Sequence, residues 1–128
     1  MAKLFDSSAV LAFLYNETGA DQVAVELSEG LISSVNAAEV LKILIRNEVS
    51  FDDARLALLK TGLQVVDFTG KHAERIGQML CPDWRKRGIS LGDQACLATA
   101  LEANVTAVTA DRNWSGLKNN HPKIQFIR

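Results

Sequence analysis

The sequence predicts an α/β fold, with a central, mostly parallel sheet covered by helices on both faces. Strand and helix signals take turns along the chain, four strand candidates are separated by helical stretches with a fifth near the end, and no repeat or low-complexity tract interrupts them. At 128 residues with 48% hydrophobic and 23% charged residues, the chain has apolar material for one core, and a single domain over residues 1–128 is expected.

The elements follow in order. "AKLF" at residues 2–5 is a short strand, and Ser7 or Ser8 can cap a first helix reaching about Tyr15. Gly19 follows a turn, and residues 20–29 form a second short helix ended by Gly30. "LISS" is the second strand. "NAAEVLKILIR" is helical by length and by its strong helix formers, and "SFDDARLALLK" begins with Ser50 and Asp53 in capping-box spacing. "LQVVDF" is the third strand. Thr69 opens a helix across "KHAERIGQML", which must end near Cys81 because Pro82 disfavours helical geometry in the residue before it. "DWRKRG" is expected to be a loop, and "SLGDQACLATALEAN" a helix running from Ser90 to Asn104. "VTAVTA" and "KIQFI" supply the fourth and fifth strands.

Composition excludes several function classes. A formal net charge of −1 argues against coating nucleic acid through bulk charge, although it permits a local basic patch. No apolar run approaches the roughly 18 residues of a membrane span, and "MAKLFD" reaches an acid before a signal-peptide core could form, so a cytoplasmic location is expected. Cys81 and Cys96 lack metal or redox spacing and read as reduced packing residues, and His72 and His121 lack zinc spacing and read as surface or packing histidines.

The acids carry the chemistry. Open parallel sheets bind ligands outside the carboxyl ends of their strands, and Asp6 and Asp111 both stand there, each after a short apolar run. Either could be structural: Asp6 as a helix cap, Asp111 in an Asx-turn. Two carboxylates on one rim would repel each other unless a cation joined them. Asp93 lies on the apolar side of its helix, unusual for an acid, although Ser90 three residues earlier offers it a capping partner. Glu39 shares its helix face with Lys42 and Arg46, a spacing that fits a solvated ion-pair stripe as well as a site. Asp67 ends the third strand without the neighbouring hydroxyls that accompany Asp6 and Asp111, and is set aside. Receiver domains and haloacid-dehalogenase-type phosphatases also use strand-end acids. The former need adjacent acids after the first strand and the latter a second Asp two residues on, where Ser8 stands.

"LFDSSAVLAFL", "SSVNAAEVLK", "ISLGDQACLATALEAN" and "VTAVTADRNWSGL" together resemble the four signature segments of PIN domains, most closely those of VapC toxins from toxin–antitoxin pairs. The resemblance spans essentially the whole chain. It implies a Rossmann-like fold and an acidic cluster that binds Mg²⁺ or Mn²⁺ for RNA hydrolysis. Carried over residue by residue, the acids are Asp6, Glu39, Asp93 and Asp111, acting in catalysis and as metal ligands, and Ser8 matches the hydroxyl position after the first. Many relatives have a further acid where this chain has Asn113, a departure expected to weaken a second metal position without abolishing the first. Such a toxin cuts structured RNA (tRNA, rRNA or mRNA), inhibits translation, forms homodimers, and is neutralised by a VapB-like antitoxin through which alone it meets operator DNA. A non-catalytic binding module of the same fold and a stand-alone RNA-processing nuclease are the competing readings.

Hard divalent cations prefer carboxylate and water oxygens, which suits these acids. An acidic site needs basic neighbours to accept a polyanion. "WRKRG" offers Arg85, Lys86 and Arg87 for phosphates and Trp84 for base stacking, or else a solvated loop with Trp84 tucked against the core. Arg112 is a second phosphate candidate, with Lys42 and Arg46 if their helix faces the cleft.

Overall fold

The computed structural model describes residues 2–117 and 121–128. Strands β1 (Leu4–Phe5), β2 (Leu31–Ser33), β3 (Gln64–Val66), β4 (Ala107–Thr109) and β5 (Ile124–Phe126) form one sheet in the order β3-β2-β1-β4-β5. Every pairing is parallel, and β1 is central, with Leu4 opposite both Leu31 and Ala107. The α/β class and the parallel sheet are therefore as expected. This order has a consequence for function. From β1 the chain moves to β2 and β3 on one side, then returns to β4 and β5 on the other. The topological switch lies between β1 and β4, where a crevice opens beyond the carboxyl ends.

Seven helices connect the strands among the described residues: α1 (Ser7–Leu14), α2 (Ala20–Glu26), α3 (Ser34–Arg46), α4 (Phe51–Lys60), α5 (Gly70–Met79), α6 (Pro82–Lys86) and α7 (Leu91–Ala103). Alternation along β1 sends Phe5 and Leu4 to opposite faces. Phe5 joins a core with Val10 of α1, Val23 of α2, and Val40 and Leu44 of α3; Leu4 joins a second with Met79, Trp84, Cys96, Leu97 and Trp114. Helices thus cover both faces. No helix among the described residues is long and apolar enough to cross a membrane.

Several local expectations are corrected. The first helix is capped by Asp6, not by Ser7 or Ser8, because the Asp6 carboxylate accepts the Ala9 N–H at 2.8 Å. The helix expected over 20–29 ends at Glu26 and tightens into a 3-10 turn at Leu27–Glu29. The helix expected to reach Cys81 stops at Met79, where Leu80 turns extended. "DWRKRG" is not a loop. Pro82 occupies the first turn of α6, where its missing N–H costs nothing, and Trp84 is buried. Asn104 ends α7 as expected, in the left-handed conformation at φ 55°.

Candidate active site at the switch point

Asp6 leaves β1 at the switch point and is 2% exposed. Its carboxylate accepts hydrogen bonds from the Ala9 N–H (2.8 Å), from Ser8 Oγ (2.7 Å to Oδ1) and from Thr109 Oγ1 (2.6 Å). The two hydroxyls are themselves oriented from β4 and the segment after it: Ser8 Oγ accepts the Ala110 N–H at 2.9 Å, and Thr109 Oγ1 accepts the Asp111 N–H at 2.9 Å. This hydroxyl bridge ties the two strand ends across the crevice. Burial nevertheless dominates the carboxyl's titration. Its pKa is pushed up to about 7, opposed by the bonds from Thr109, Ala9 and Ser8 and reinforced by the charge of Asp93.

Asp93 stands in the first turn of α7, in a reciprocal cap with Ser90: the Ser90 N–H donates to Asp93 Oδ2 at 2.9 Å and the Asp93 N–H to Ser90 Oγ at 3.2 Å. Burial raises its pKa, with the charges of Asp111 and Glu39 adding to the rise and the Ser90 bonds opposing it. Asp111 caps a 3-10 turn at Arg112–Trp114, accepting the Asn113 N–H at 2.9 Å. The local roles read from the sequence for Asp6, Asp93 and Asp111 are thus all present, and the acids still lie within electrostatic reach, Asp93 acting on Asp6 and Asp111 on Asp93. Asp93 and Asp111 each commit one carboxylate oxygen to the cap and keep the other, whereas both oxygens of Asp6 accept hydrogen bonds.

Glu39 resolves differently. Among the described residues it forms no ion pair with Lys42 or Arg46, whose side chains stay exposed. Instead its Oε1 accepts from Ser7 Oγ at 3.0 Å and from Asn36 Nδ2 at 2.8 Å, which turns the carboxylate toward the α7 N-terminus. Cys96 lies beneath the acids, its thiol pushed well up by burial and then by the charges of Asp6, Asp93 and Glu39. It is buried and free, as is half-buried Cys81, consistent with packing roles.

Four carboxylates, from the ends of β1 and β4 and from α3 and α7, therefore share one electrostatic neighbourhood, and among the described residues no Lys, Arg or His pairs with any of them. As the side chains stand, no three acid, thiol or imidazole groups among the described residues are close enough to hold one ion directly. The donors are carboxylate and hydroxyl oxygens, the chemistry that hard divalent cations such as Mg²⁺ prefer.

Residues 3–119 match the family model of the PIN domain. The chain belongs to the PIN domain family. Solved structures agree on the fold. The PIN domain is similar to a toxin–antitoxin complex from Klebsiella pneumoniae (TM-score 0.77, 19% identity, covering 99% of this chain and 98% of that one). It is also similar to VapBC2 from Rickettsia felis bound to a promoter DNA fragment (0.74, 18%, 98% of each chain) and to DNA-bound VapBC from Salmonella typhimurium (0.69, 20%, 100% of each). No curated protein matches the sequence.

The basic residues of this PIN domain divide. Arg85 and Lys86 are exposed on α6. Arg87 is a brace: it donates to the carbonyls of Ser115 and Asn113 and lies 3.9 Å from Asp83, which fixes α6 against the segment after Asp111. Arg112 holds its guanidinium 4.4 Å over the Phe126 ring. Trp84 is 2% exposed and gives its indole N–H to His121 at 2.9 Å, so it packs and does not stack a base. His72 is buried and accepts the Thr69 N–H at 3.0 Å, a helix-capping role.

Sequence reasoning missed four contributors: Ser7, Asn36, Gly92 and Thr109. Thr109 precedes Asp111 by two residues, the strand period, and Asn36 precedes Glu39 by three, the helix period. Both signals were available. Gly92 is found only by its closeness to Glu39 in space.

Proposed function

We propose that this PIN domain is the toxin of a toxin–antitoxin pair, a metal-dependent endoribonuclease that cleaves structured RNA such as tRNA, rRNA or mRNA and so inhibits translation. One observation carries the reading: four carboxylates crowd the switch point with no cation of the chain to neutralise them. A site that raises the Asp6 carboxyl to about 7 is built at a cost in stability that a bound cation offsets.

Asp6 and Asp93 would be the principal ligands of Mg²⁺ or Mn²⁺, with Glu39 and Asp111 as ligands or as positioners of water. An ion bound there supplies positive charge against the transferring phosphoryl group and makes a water more acidic. The chain's own residues do the rest. Ala9 N–H, Ser8 and Thr109 hold Asp6 in one orientation, and the Ser90 cap does the same for Asp93. The half-buried Asp93, Glu39 and Asp111 are positioned to accept a proton from attacking water. Ser8 can hand its hydroxyl to a phosphate oxygen if a cation relieves Asp6 of that bond. Arg85, Lys86 and, once lifted from Phe126, Arg112 supply contacts to RNA phosphates flanking the cut. Single-stranded loops are the expected target, since only there can a phosphodiester be splayed into the crevice.

The similarity to toxin–antitoxin complexes, two of them DNA-bound, supports a VapB-like antitoxin as partner, with operator DNA met only through it. A homodimer and a cytoplasmic setting belong to the same reading. The purified, partner-free protein should cut a structured RNA in Mg²⁺ or Mn²⁺ and stop in EDTA. A small DNA-binding protein encoded immediately upstream is expected on this reading, and adding it should block cleavage. Cleavage indifferent to chelator would overturn the metal mechanism.

A further inference from the structure

Asn36 is 1% exposed, and a buried amide is costly unless its hydrogen-bonding groups are used. Its Nδ2 gives both hydrogens away: one to Glu39 Oε1 at 2.8 Å on the same helix, the other to the Gly92 carbonyl at 3.1 Å on α7. Two acceptors on that side fix the amide's orientation, because the flipped form would set oxygen against oxygen. The consequence is that Asn36 Oδ1 is left buried without a partner. A buried acceptor without a partner costs about 1–3 kcal/mol, and an apolar side chain of similar size would avoid it. Stability alone therefore does not account for an asparagine here.

Gly92 supplies the other half. It lies in the first turn of α7, outside the left-handed region, so the backbone does not require glycine. In a helix glycine costs about 1 kcal/mol relative to alanine. The Glu39 carboxylate's placement does require it: a Cβ at position 92 would lie 2.6 Å from Glu39 Cδ and 2.7 Å from Oε1 and would push that flexible side chain away. The Glu39 carboxylate rests in the hollow that the missing side chain leaves, one residue from Asp93.

We infer that Asn36 and Gly92 form a clasp that positions the Glu39 carboxylate beside Asp93 for cation binding. The inference rests on the metal-dependent nuclease reading and deepens it. Asn36 is a positioning residue and touches neither RNA nor the reacting atoms. Without the clasp, only the Ser7 hydroxyl holds Glu39, and the side chain can turn along its own helix face toward Lys42 and Arg46, three and seven residues on.

The test is Mn²⁺ binding by calorimetry on the full chain, for wild type, Asn36→Ala, Gly92→Ala, Glu39→Gln and the doubles Asn36→Ala/Glu39→Gln and Gly92→Ala/Glu39→Gln. RNA cleavage is measured on the same samples. Each clasp variant should weaken Mn²⁺ binding roughly tenfold or more, the usual effect of removing a partner that orients a ligand. Cleavage should lose kcat with the KM for RNA unchanged. In the Glu39→Gln background both clasp substitutions should have no further effect on Mn²⁺. If Asn36→Ala fails to fold by circular dichroism, Gly92→Ala carries the same test from the other helix. Unchanged Mn²⁺ affinity in a folded clasp variant, or equal losses with and without the Glu39 carboxylate, overturns the clasp and leaves the nuclease reading standing. A wild type that binds no Mn²⁺ overturns that reading, and the clasp's role with it.

Discussion

Replacing Asp6 by Asn separates its two jobs, because asparagine caps a helix about as well as aspartate but carries no charge. The Asp6 carboxyl rises from an ordinary 3.8 in the unfolded chain to about 7 in the metal-free fold, chiefly through burial. Below pH 3.8 both states hold the proton and the group is neutral to stability. As pH climbs toward 7, the unfolded chain loses the proton while the fold retains it, so folding is progressively disfavoured, and above 7 the penalty is constant. At about 1.4 kcal/mol per pH unit, the full penalty is on the order of 4 kcal/mol. Asp6→Asn escapes it. Its altered hydrogen bonds with Ser8 and Thr109 add a constant offset that does not change with pH. In EDTA, the stability of Asp6→Asn relative to wild type should therefore improve by roughly 4 kcal/mol between pH 4 and pH 8, a shift of about 10–20 °C in relative Tm. Urea unfolding of both proteins at several pH values measures it. Mn²⁺ at about a hundredfold its Kd should add roughly 2.7 kcal/mol to the wild type at pH 8 and much less to the variant. A wild-type-to-variant gap that stays constant with pH, with no differential response to Mn²⁺, would make Asp6 a cap alone and refute the reasoning.

Other predictions follow from the same geometry. Asp93→Asn in EDTA should shift relative stability in the same direction as pH rises, since burial and the charges of Asp111 and Glu39 raise that carboxyl too, and it should abolish RNA cleavage. Arg85→Ala with Lys86→Ala should weaken RNA binding and reduce the salt slope of log K by about 1–2, with Mn²⁺ affinity unchanged in calorimetry. Arg87→Ala should instead lower Tm, because the carbonyls of Asn113 and Ser115 lose their donor. Trp84→Ala should cost about 3–5 kcal/mol in urea unfolding, the range for emptying a buried aromatic site, and Trp84→Phe much less.

The alternation of apolar runs with helix formers made the sheet legible, and strand ends carrying Asp6 and Asp111 made the rim legible, because parallel strands bring their carboxyl ends together wherever the order reverses. The order itself came only from the structure, since β1 could have been flanked by other strands. Capping was one alternative for Asp6, Asp93 and Asp111, and all three do cap, yet the caps do not separate them: Asp93 still feels the charge of Asp111 and Asp6 that of Asp93. Glu39 was the weakest of the four in sequence. Helix periodicity put it with Lys42 and Arg46 as well as with Asn36, and only the packing of α3 against α1 and α7 adds Ser7 and the hollow at Gly92. The run around Trp84 was legible in part, since a Trp84 tucked against the core was one of its two readings. Its charges suggested an exposed loop, but Pro82 starts a short helix there and the indole reaches the core and His121.

Cleavage of one structured RNA by the partner-free protein, followed through EDTA treatment and then graded readdition of Mn²⁺, tests the central claim most directly. Wild type should lose cleavage in EDTA and regain it along the same curve as calorimetric Mn²⁺ binding, while Asp93→Asn regains neither. Cleavage that survives EDTA, or that Asp93→Asn retains, would contradict a site built from Asp6, Glu39, Asp93 and Asp111.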